Sequence, residues 1–148
     1  GVHTRFIELA GEINAAMPHH VVSRVVDVLN DIGKPVRGAR ILVLGIAYKA
    51  NVDDCRESPA IVILEELIRR GADVAYSDPH VPRFPRMRAH QLDLESQPLT
   101  AKNLQIFDLV VLATAHDAFD YPLIQAHAAQ VLDTRAKLHR TSQNVIRA

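Results

Sequence analysis

Hydrophobic and polar residues follow two different patterns along the chain, and the change falls near residue 35. Before it, apolar side chains recur every three or four positions, which is typical of an amphipathic helix. The members of this stripe are Phe6, Ala10, Ile13, Met17, Val21, Val22, Val25, Leu29 and Ile32. Pro18 either opens a second helix or bends one long helix, and Gly33, Pro35 and Gly38 then break the pattern. The pattern therefore predicts a helical arm over residues 1–35.

From residue 40 onward, short continuous apolar runs alternate with amphipathic stretches. The run ILVLGI at 41–46 is typical of a strand buried on both faces. Ser58-Pro59 predicts a helix start, with serine as the N-cap and proline at the first helical position. Further predicted elements are strands at 73–77, 109–114, 130–133 and 144–146 and a short helix at 121–129. This alternation predicts an α/β fold, a doubly wound and mostly parallel sheet preceded by the helical arm.

Composition excludes several classes of function. The chain of 148 residues carries 17 basic and 17 acidic side chains without a basic stripe, which argues against nucleic acid as a partner. No apolar run approaches the ~20 residues that span a membrane, and the N-terminus lacks the apolar core of a signal peptide. The single cysteine excludes an internal disulfide framework and fits a reducing cytoplasm. We therefore expect a cytoplasmic protein with no membrane and no nucleic-acid partner.

The loop after the first predicted strand concentrates charged residues, among them Lys49, Asp53, Asp54 and Arg56. In open α/β sheets, ligands bind beyond the carboxyl ends of the strands. The N-terminus of the helix that follows adds a partial positive charge, which favours an anion. Gly45 is the only glycine in the loop, so the glycine-rich dinucleotide fingerprint is absent. The loop predicts a nucleotide or phosphate contact built from side chains.

Each candidate residue at this edge also has an ordinary structural interpretation. Lys49 is either a phosphate ligand acting as a mobile point charge or an exposed loop lysine. Arg56 could offer its planar fork to a pyrophosphate, but pairing with Asp53, Asp54 or Glu57 is the better interpretation. Arg135 follows the fourth predicted strand, so it either meets the same anion as Lys49 or is a plain surface charge. Asp78 ends the second strand, where a turn-forming role is favoured over a ribose contact.

Cysteine and histidine give weak signals for catalysis or metal binding. Cys55 has no histidine near it in sequence, and a nucleophilic thiol needs a base or a lowered pKa, so we interpret it as an incidental thiol. The eight histidines lack metal-ligand spacing, with His116 and His127 eleven positions apart. We therefore predict no metal site. His116 and Asp117 follow the third strand at the ligand edge, where Asp117 or Asp120 could instead cap the next helix.

The order of these segments resembles the UDP-glucose/GDP-mannose dehydrogenase family. The matching stretches are FIELAGEINAAMPHHVV, GARILVLGIAYKANVDDCRESPA, SDPHVP and VLDTR, and the most specific is G-x-A-x-K followed by D-D-x-R-E-S-P. The resemblance implies that residues 1–35 are the end of a central dimerisation region. Residues 36–148 would be a C-terminal, Rossmann-like UDP-sugar-binding domain. QPLTAKNL and HDAFDYPLI look more like the branch that oxidises UDP-N-acetylglucosamine, or a related N-acetylhexosamine, than the UDP-glucose branch.

Residue by residue, the resemblance implies contacts with both substrate and cofactor. Lys49 matches the family lysine that contacts the UDP-sugar, with Tyr48 beside it. Arg135 matches a late arginine of the nucleotide-sugar site, although the family usually has asparagine where this chain has Ala136. Arg56 matches the arginine that reaches the NAD pyrophosphate across the domain cleft.

The resemblance assigns the chemistry itself to residues outside this chain. The family's catalytic cysteine lies in a G-G-x-C motif, which does not occur here, so Cys55 is not its counterpart. The N-terminal domain that binds most of the NAD is also missing. The intact enzyme would oxidise the C6 alcohol of the sugar to a carboxylate in two NAD-dependent steps, as a homodimer formed through the N-terminal helices. We expect this chain alone to be inactive. An isolated nucleotide-binding module and a domain that serves mainly for dimerisation are the alternatives.

Overall fold

A computed structural model describes residues 2–86, 92–138 and 142–148, with side chains from residue 17 onward. The side chains of Phe6, Ala10 and Ile13 in the predicted stripe therefore lie outside the described residues. In chain order the elements are α1 (Val2–Asp31), β1 (Arg40–Leu44), α2 (Pro59–Arg69), β2 (Asp73–Ser77), α3 (Ala101–Gln105), β3 (Leu109–Leu112), α4 (Tyr121–His127), β4 (Val131–Asp133) and β5 (Val145–Arg147).

The five strands form one sheet in the order β2-β1-β3-β4-β5, and all four pairings are parallel. Ile41 of β1 lies opposite Val74 of β2 on one side and Leu109 of β3 on the other. Successive strand residues point to opposite faces, so Ile41 enters one hydrophobic core and Leu42 the other. Both faces are apolar, and the predicted doubly wound, Rossmann-like sheet is confirmed.

Helices cover both faces of the sheet. On one face α1 and α2 pack with β1 in a single core, and on the other α3 and α4 contribute buried Leu104 and Ile124. Full burial of a valine or leucine side chain stabilises a fold by about 1.5–3 kcal/mol. The arm contributes several such residues: Val21, Val22, Val25, Val28 and Leu29. The part of the arm from Val21 to Leu29 therefore packs on the sheet. The boundary between a helical arm at residues 1–35 and a domain at residues 36–148 stays a prediction.

The arm is one helix that continues through Pro18, so the alternative of two separate helices is wrong. Proline removes one helical hydrogen bond, and the buried residues that follow it compensate through packing on the sheet. Among the described residues, no helix is both long and apolar enough to cross a membrane.

The strand order fixes where a ligand can bind. The neighbours of β1 are β2 on one side and β3 on the other, so the chain leaves β1 and β3 toward opposite sides of the sheet. A crevice opens at such a switch point, outside the carboxyl ends of the strands. The loops that line it are residues 45–58 after β1 and residues 113–120 after β3.

Candidate functional site

Gly45, the first residue after β1, lies where the ends of β1, β2 and β3 meet, and this position leaves no room for a side chain. Gly45 has φ +82, and a Cβ built on it would lie 2.4 Å from the backbone oxygen of Thr114 and 2.6 Å from its Cβ. The Gly45 N–H donates to the Ser77 carbonyl at 2.9 Å. The single glycine of the loop therefore brings the ends of β1, β2 and β3 together, and it does not cradle a phosphate.

A buried carboxylate ties the three strand ends together. The Asp78 Oδ2 atom accepts the Ile46 N–H and lies 2.8 Å from both that nitrogen and His116 Nε2. Its Oδ1 atom accepts the His80 N–H at 2.8 Å, which is the predicted turn. The side chains of Asp78 and His116 are both fully buried. Asp78 thus forms the expected turn, but its larger role is to join the loops after β1 and β3.

The His116 ring also holds the far end of the β1–α2 loop. Its Nδ1 atom accepts the backbone N–H of Asn51 at 2.9 Å. The Asn51 side chain pairs with Asp117 in both directions, through contacts of 3.0 and 2.8 Å. Asp117 is therefore used in this clamp, whereas Asp120 caps α4 by accepting the Leu123 N–H.

The carbonyl of Ala47 is a second anchor of the loop. It accepts the hydroxyl of Thr114 at 2.8 Å and that of Ser58 at 3.3 Å. Ser58 occupies the N-cap position of α2 as predicted, but its side chain makes no capping hydrogen bond. Its buried hydroxyl holds the loop instead of capping the helix.

A groove of about 950 Å³ opens at this edge, and the predicted substrate residues line it. Tyr48 and Lys49 come from the β1–α2 loop, and Arg135 comes from the loop after β4. Two cations therefore face one groove with a single carboxylate, Glu57, among its lining residues. The lining residues that the two helices contribute are all apolar: Met17, Pro18, Val21, Pro59, Ala60, Val62 and Ile63.

Arg56 does not line this groove but forms a fork with its neighbour Asp54. Its Nη2 atom lies 2.8 Å from Asp54 Oδ2, and its Nε atom lies 3.0 Å from Oδ1. This guanidinium lowers the pKa of Asp54 to about 2. The Arg56 side chain is 84% exposed, so the pair stands in solvent and the expected pairing with a carboxylate is confirmed.

A second buried carboxylate shapes the loop that carries Arg135. Asp133, the last residue of β4, accepts three backbone N–H groups, those of Arg135, Lys137 and Leu138, at 2.8–2.9 Å. The next residue, Thr134, donates its hydroxyl to the Leu112 carbonyl at 2.6 Å. Arg135 therefore projects from a turn whose backbone is fixed on the sheet.

The turn after Arg135 contains a strained alanine. Ala136 has φ 55, a left-handed conformation that asparagine tolerates better than alanine, and its side chain is exposed. We expect Ala136→Asn to raise the free energy of unfolding by about 0.5–1 kcal/mol, because relieving the strain requires no repacking. Urea denaturation measures this change. Ala136→Val serves as the control, since a β-branched residue there should lower stability; a gain from both would contradict this reason.

The surroundings of the cysteine bear on its reactivity. Cys55 is buried, and this burial raises the pKa of its thiol to about 11. A thiol with a raised pKa is a poor nucleophile. Within the part of the chain that the structure describes, no three His, Cys, Asp or Glu residues are grouped to hold a metal ion.

Two parts of the site have no clear signal in the sequence. The arm supplies part of the groove lining through Met17, Pro18 and Val21, although the helical periodicity assigned Met17 and Val21 only to a stripe. Asn51 clamps the loop, and a lone asparagine between charged residues does not indicate this contact. Asparagine is enriched at left-handed backbone positions such as that of Asn51, with φ 66, but this preference does not identify the residues that Asn51 contacts.

A family model described as the UDP-binding domain of the UDP-glucose/GDP-mannose dehydrogenase family matches residues 42–145. The chain belongs to this family. The matched span runs from β1 into β5, so this UDP-binding domain includes the loops that carry Tyr48, Lys49 and Arg135.

Several relatives with named activities are similar to the chain. UDP-N-acetyl-D-mannosamine dehydrogenase of Methanococcus maripaludis (strain C7 / ATCC BAA-1331) is 33% identical over 117 residues, which are 79% of this chain and 25% of the relative. NDP-N-acetyl-D-galactosaminuronic acid dehydrogenase of Ralstonia solanacearum is 33% identical over 135 residues, which are 88% of this chain and 30% of the relative. A solved structure of UDP-D-ManNAc dehydrogenase from Pyrococcus horikoshii superposes with a TM-score of 0.75 at 25% identity, over 95% of this chain and 32% of that one.

The chain spans about a quarter to a third of the length of these relatives. Their names confirm the resemblance to nucleotide-sugar dehydrogenases. The two curated relatives carry an N-acetylated hexosamine or its uronic acid in their names.

Proposed function

We propose that this chain holds the UDP end of a UDP-N-acetylhexosamine for an NAD-dependent 6-dehydrogenase, which oxidises the sugar C6 alcohol to a carboxylate. The observation that carries the proposal is the shared groove at the switch point of the sheet, which Lys49 and Arg135 both line from different loops. Two cations on separate, anchored loops suit a diphosphate, whose charge is spread over several oxygens. The apolar lining from α1 and α2 offers a surface for a base or sugar ring.

In this proposal Lys49 and Arg135 contact the diphosphate, and Tyr48 lies beside them as a substrate contact. Tyr48 is 56% exposed, so its ring is free to meet a ligand in the groove. The hydrogen bonds at Ala47, Asn51 and Asp133 hold the backbone that carries these side chains before the ligand arrives, which reduces the entropy lost on binding.

The proposal gives the NAD contact to Arg56 and the rest of the cofactor to another domain. Arg56 stands outside the groove and is highly exposed, a position from which it can reach a second nucleotide. Asp54 already pairs with it, so a pyrophosphate would have to share or displace that carboxylate. This chain holds no catalytic residue in the proposal, and its share is binding and positioning, without turnover of its own.

The sugar is proposed to be an N-acetylhexosamine because of the names of the relatives, which specify N-acetylmannosamine and N-acetylgalactosaminuronic acid. N-acetylglucosamine, the first expectation from the sequence, belongs to the same chemical class. These sugars differ in configuration at carbons of the hexose ring. The proposal therefore names the class and assigns this chain to the UDP end that all members share.

Titration calorimetry with UDP tests the proposal on the 148-residue chain. Lys49→Ala and Arg135→Ala should each weaken binding by about 1.5–3 kcal/mol, because each removes a charge-assisted contact with the diphosphate. Arg56→Ala is the matched control, since it also removes one exposed cation from this edge but lies outside the groove. It should leave UDP affinity within about twofold of the wild type. Equal losses in all three variants would indicate unspecific attraction and would refute the assigned roles.

We also propose that the chain forms a homodimer through α1 and acts in the cytoplasm. The helix is 30 residues long, and Met17 and Ile32 remain exposed on it at 42% and 41%. The predicted apolar stripe from Phe6 to Ile32 is too long for one small sheet domain to cover, which favours a partner helix. Light scattering should give twice the mass of the 16.4 kDa chain. A mass of one chain at high protein concentration would contradict the dimer.

A further inference from the structure

A buried histidine, His116, holds the β1–α2 loop just after Tyr48 and Lys49. Asn51 stands two residues after Lys49, and its backbone N–H donates to His116 Nδ1 at 2.9 Å. Neither Asn51 nor His116 lines the groove. A group that holds this loop can therefore act on a ligand only through the residues that the loop presents.

The hydrogen bonds fix the tautomer of the His116 ring. A ring nitrogen that accepts an N–H must carry a lone pair, so Nδ1 has no proton. The Nε2 atom then carries the proton and donates it to Asp78 Oδ2 at 2.8 Å. Asp78 accepts two backbone N–H groups as well, from Ile46 and His80, which fits an ionised carboxylate. The carboxylate thus keeps the ring in the one form that can accept from Asn51.

The side chain of Asn51 reinforces the same contact. Its amide exchanges two hydrogen bonds with Asp117, the residue that follows His116, so backbone and side chain both dock on one short segment. Asn51 has φ 66, which lets the chain turn here without a glycine. This double attachment holds one end of the segment 47–51, and the Ala47 carbonyl holds the other through Ser58 and Thr114.

We propose that His116, held by Asp78, is a positioning residue for UDP binding, which sets the place of Lys49 in the groove through the Asn51 N–H. This inference rests on the proposed function and adds a residue to it that makes no ligand contact. Inside the segment the Tyr48 N–H also donates to the Asp54 carbonyl at 2.7 Å, so loss of the Asn51 anchor mainly frees Lys49 and Ala50. A cation that samples several positions binds a diphosphate less well than a fixed one.

Two substitutions at His116 separate positioning from general support of the fold. In His116→Asn, the amide oxygen can take the place of Nδ1 and accept from Asn51, but the contact with Asp78 is lost. In His116→Gln, the longer amide can reach Asp78 in place of Nε2, but Asn51 loses its acceptor. Each variant removes one buried hydrogen bond and part of a ring, so both should lose stability to a similar extent.

UDP affinity, measured by calorimetry, should differ between the two variants. We expect His116→Asn to stay within about twofold of the wild type and His116→Gln to bind about three- to tenfold more weakly, the effect of one lost hydrogen bond on a binding constant. Asn144→Ala is the control for stability, because Asn144 donates to the carbonyls of Gln125 and Ala128 at 2.9 Å, away from the groove. It should lower the unfolding midpoint and leave UDP affinity unchanged.

The outcomes distinguish this inference from the function on which it rests. If wild-type protein fails to bind UDP, or Lys49→Ala binds as well as the wild type, the proposed function is wrong. If Lys49→Ala is weakened but His116→Gln binds like the wild type, or both His116 variants weaken equally, the positioning role is wrong. Should His116→Gln not fold, nuclear magnetic resonance of the wild type decides. A protonated Nδ1, or no coupling across the hydrogen bond between that atom and the Asn51 amide, would overturn the inference.

Discussion

Replacing Gly45 with alanine is expected to lower the free energy of unfolding by about 2–5 kcal/mol. Part of the loss is conformational, because φ +82 is strained for any residue with a Cβ. The rest is steric, since the new Cβ would overlap the Thr114 backbone oxygen at 2.4 Å. Thr114 cannot simply retreat, because its N–H donates to the Leu44 carbonyl at 3.1 Å and its hydroxyl to the Ala47 carbonyl at 2.8 Å.

Gly38 is a matched control for this substitution. It has φ +81, almost the same backbone conformation, but a Cβ built on it meets nothing within 4 Å. Gly38→Ala should therefore show only the conformational part, about 1–2 kcal/mol. Urea denaturation of both variants gives the steric part by difference. Equal losses would mean that the approach of β1 to Thr114 is looser than the structure shows.

Replacing Asp133 with alanine is expected to cost about 3–5 kcal/mol of stability. The carboxylate is 2% exposed and accepts three backbone N–H groups, so its removal leaves three donors at the end of β4 without this acceptor. Leaving a buried donor unsatisfied costs about 1–3 kcal/mol, and part of the turn can open to water in compensation. The same variant should weaken UDP binding, because Arg135 would lose its fixed turn.

Asp120 provides the comparison for Asp133. It is also an aspartate that accepts a backbone N–H, that of Leu123, but it makes this one contact at an exposed helix start. Asp120→Ala should cost about 1 kcal/mol, the usual effect of losing an N-cap. Thermal or urea unfolding of the two variants measures the difference. A loss at Asp133 no larger than that at Asp120 would show that the buried carboxylate does not organise the turn.

The fold was largely predictable because its signals are local. The runs at 41–46 and 109–114 are apolar on both faces, which a strand needs when helices cover both sides of a sheet. Ser58-Pro59 marked the start of α2 to the residue, since proline fixes the backbone angle that opens a helix. The strand predicted at 130–133 begins one residue before β4 and ends with it, and the strand predicted at 144–146 lies one residue before β5, because strand ends depend on partners and not on composition.

The sequence by itself determined the α/β alternation, the edge of the sheet where charged residues gather and, through its resemblance, the family. Each of these follows from residue type and spacing along the chain. Only the tertiary structure decided that Ser58 anchors the Ala47 carbonyl instead of capping its helix, that α1 lines part of the groove, and that Asp78 and His116 join the strand ends. These contacts join residues far apart in sequence, and strand order and burial, which select their partners, are properties of the folded chain alone.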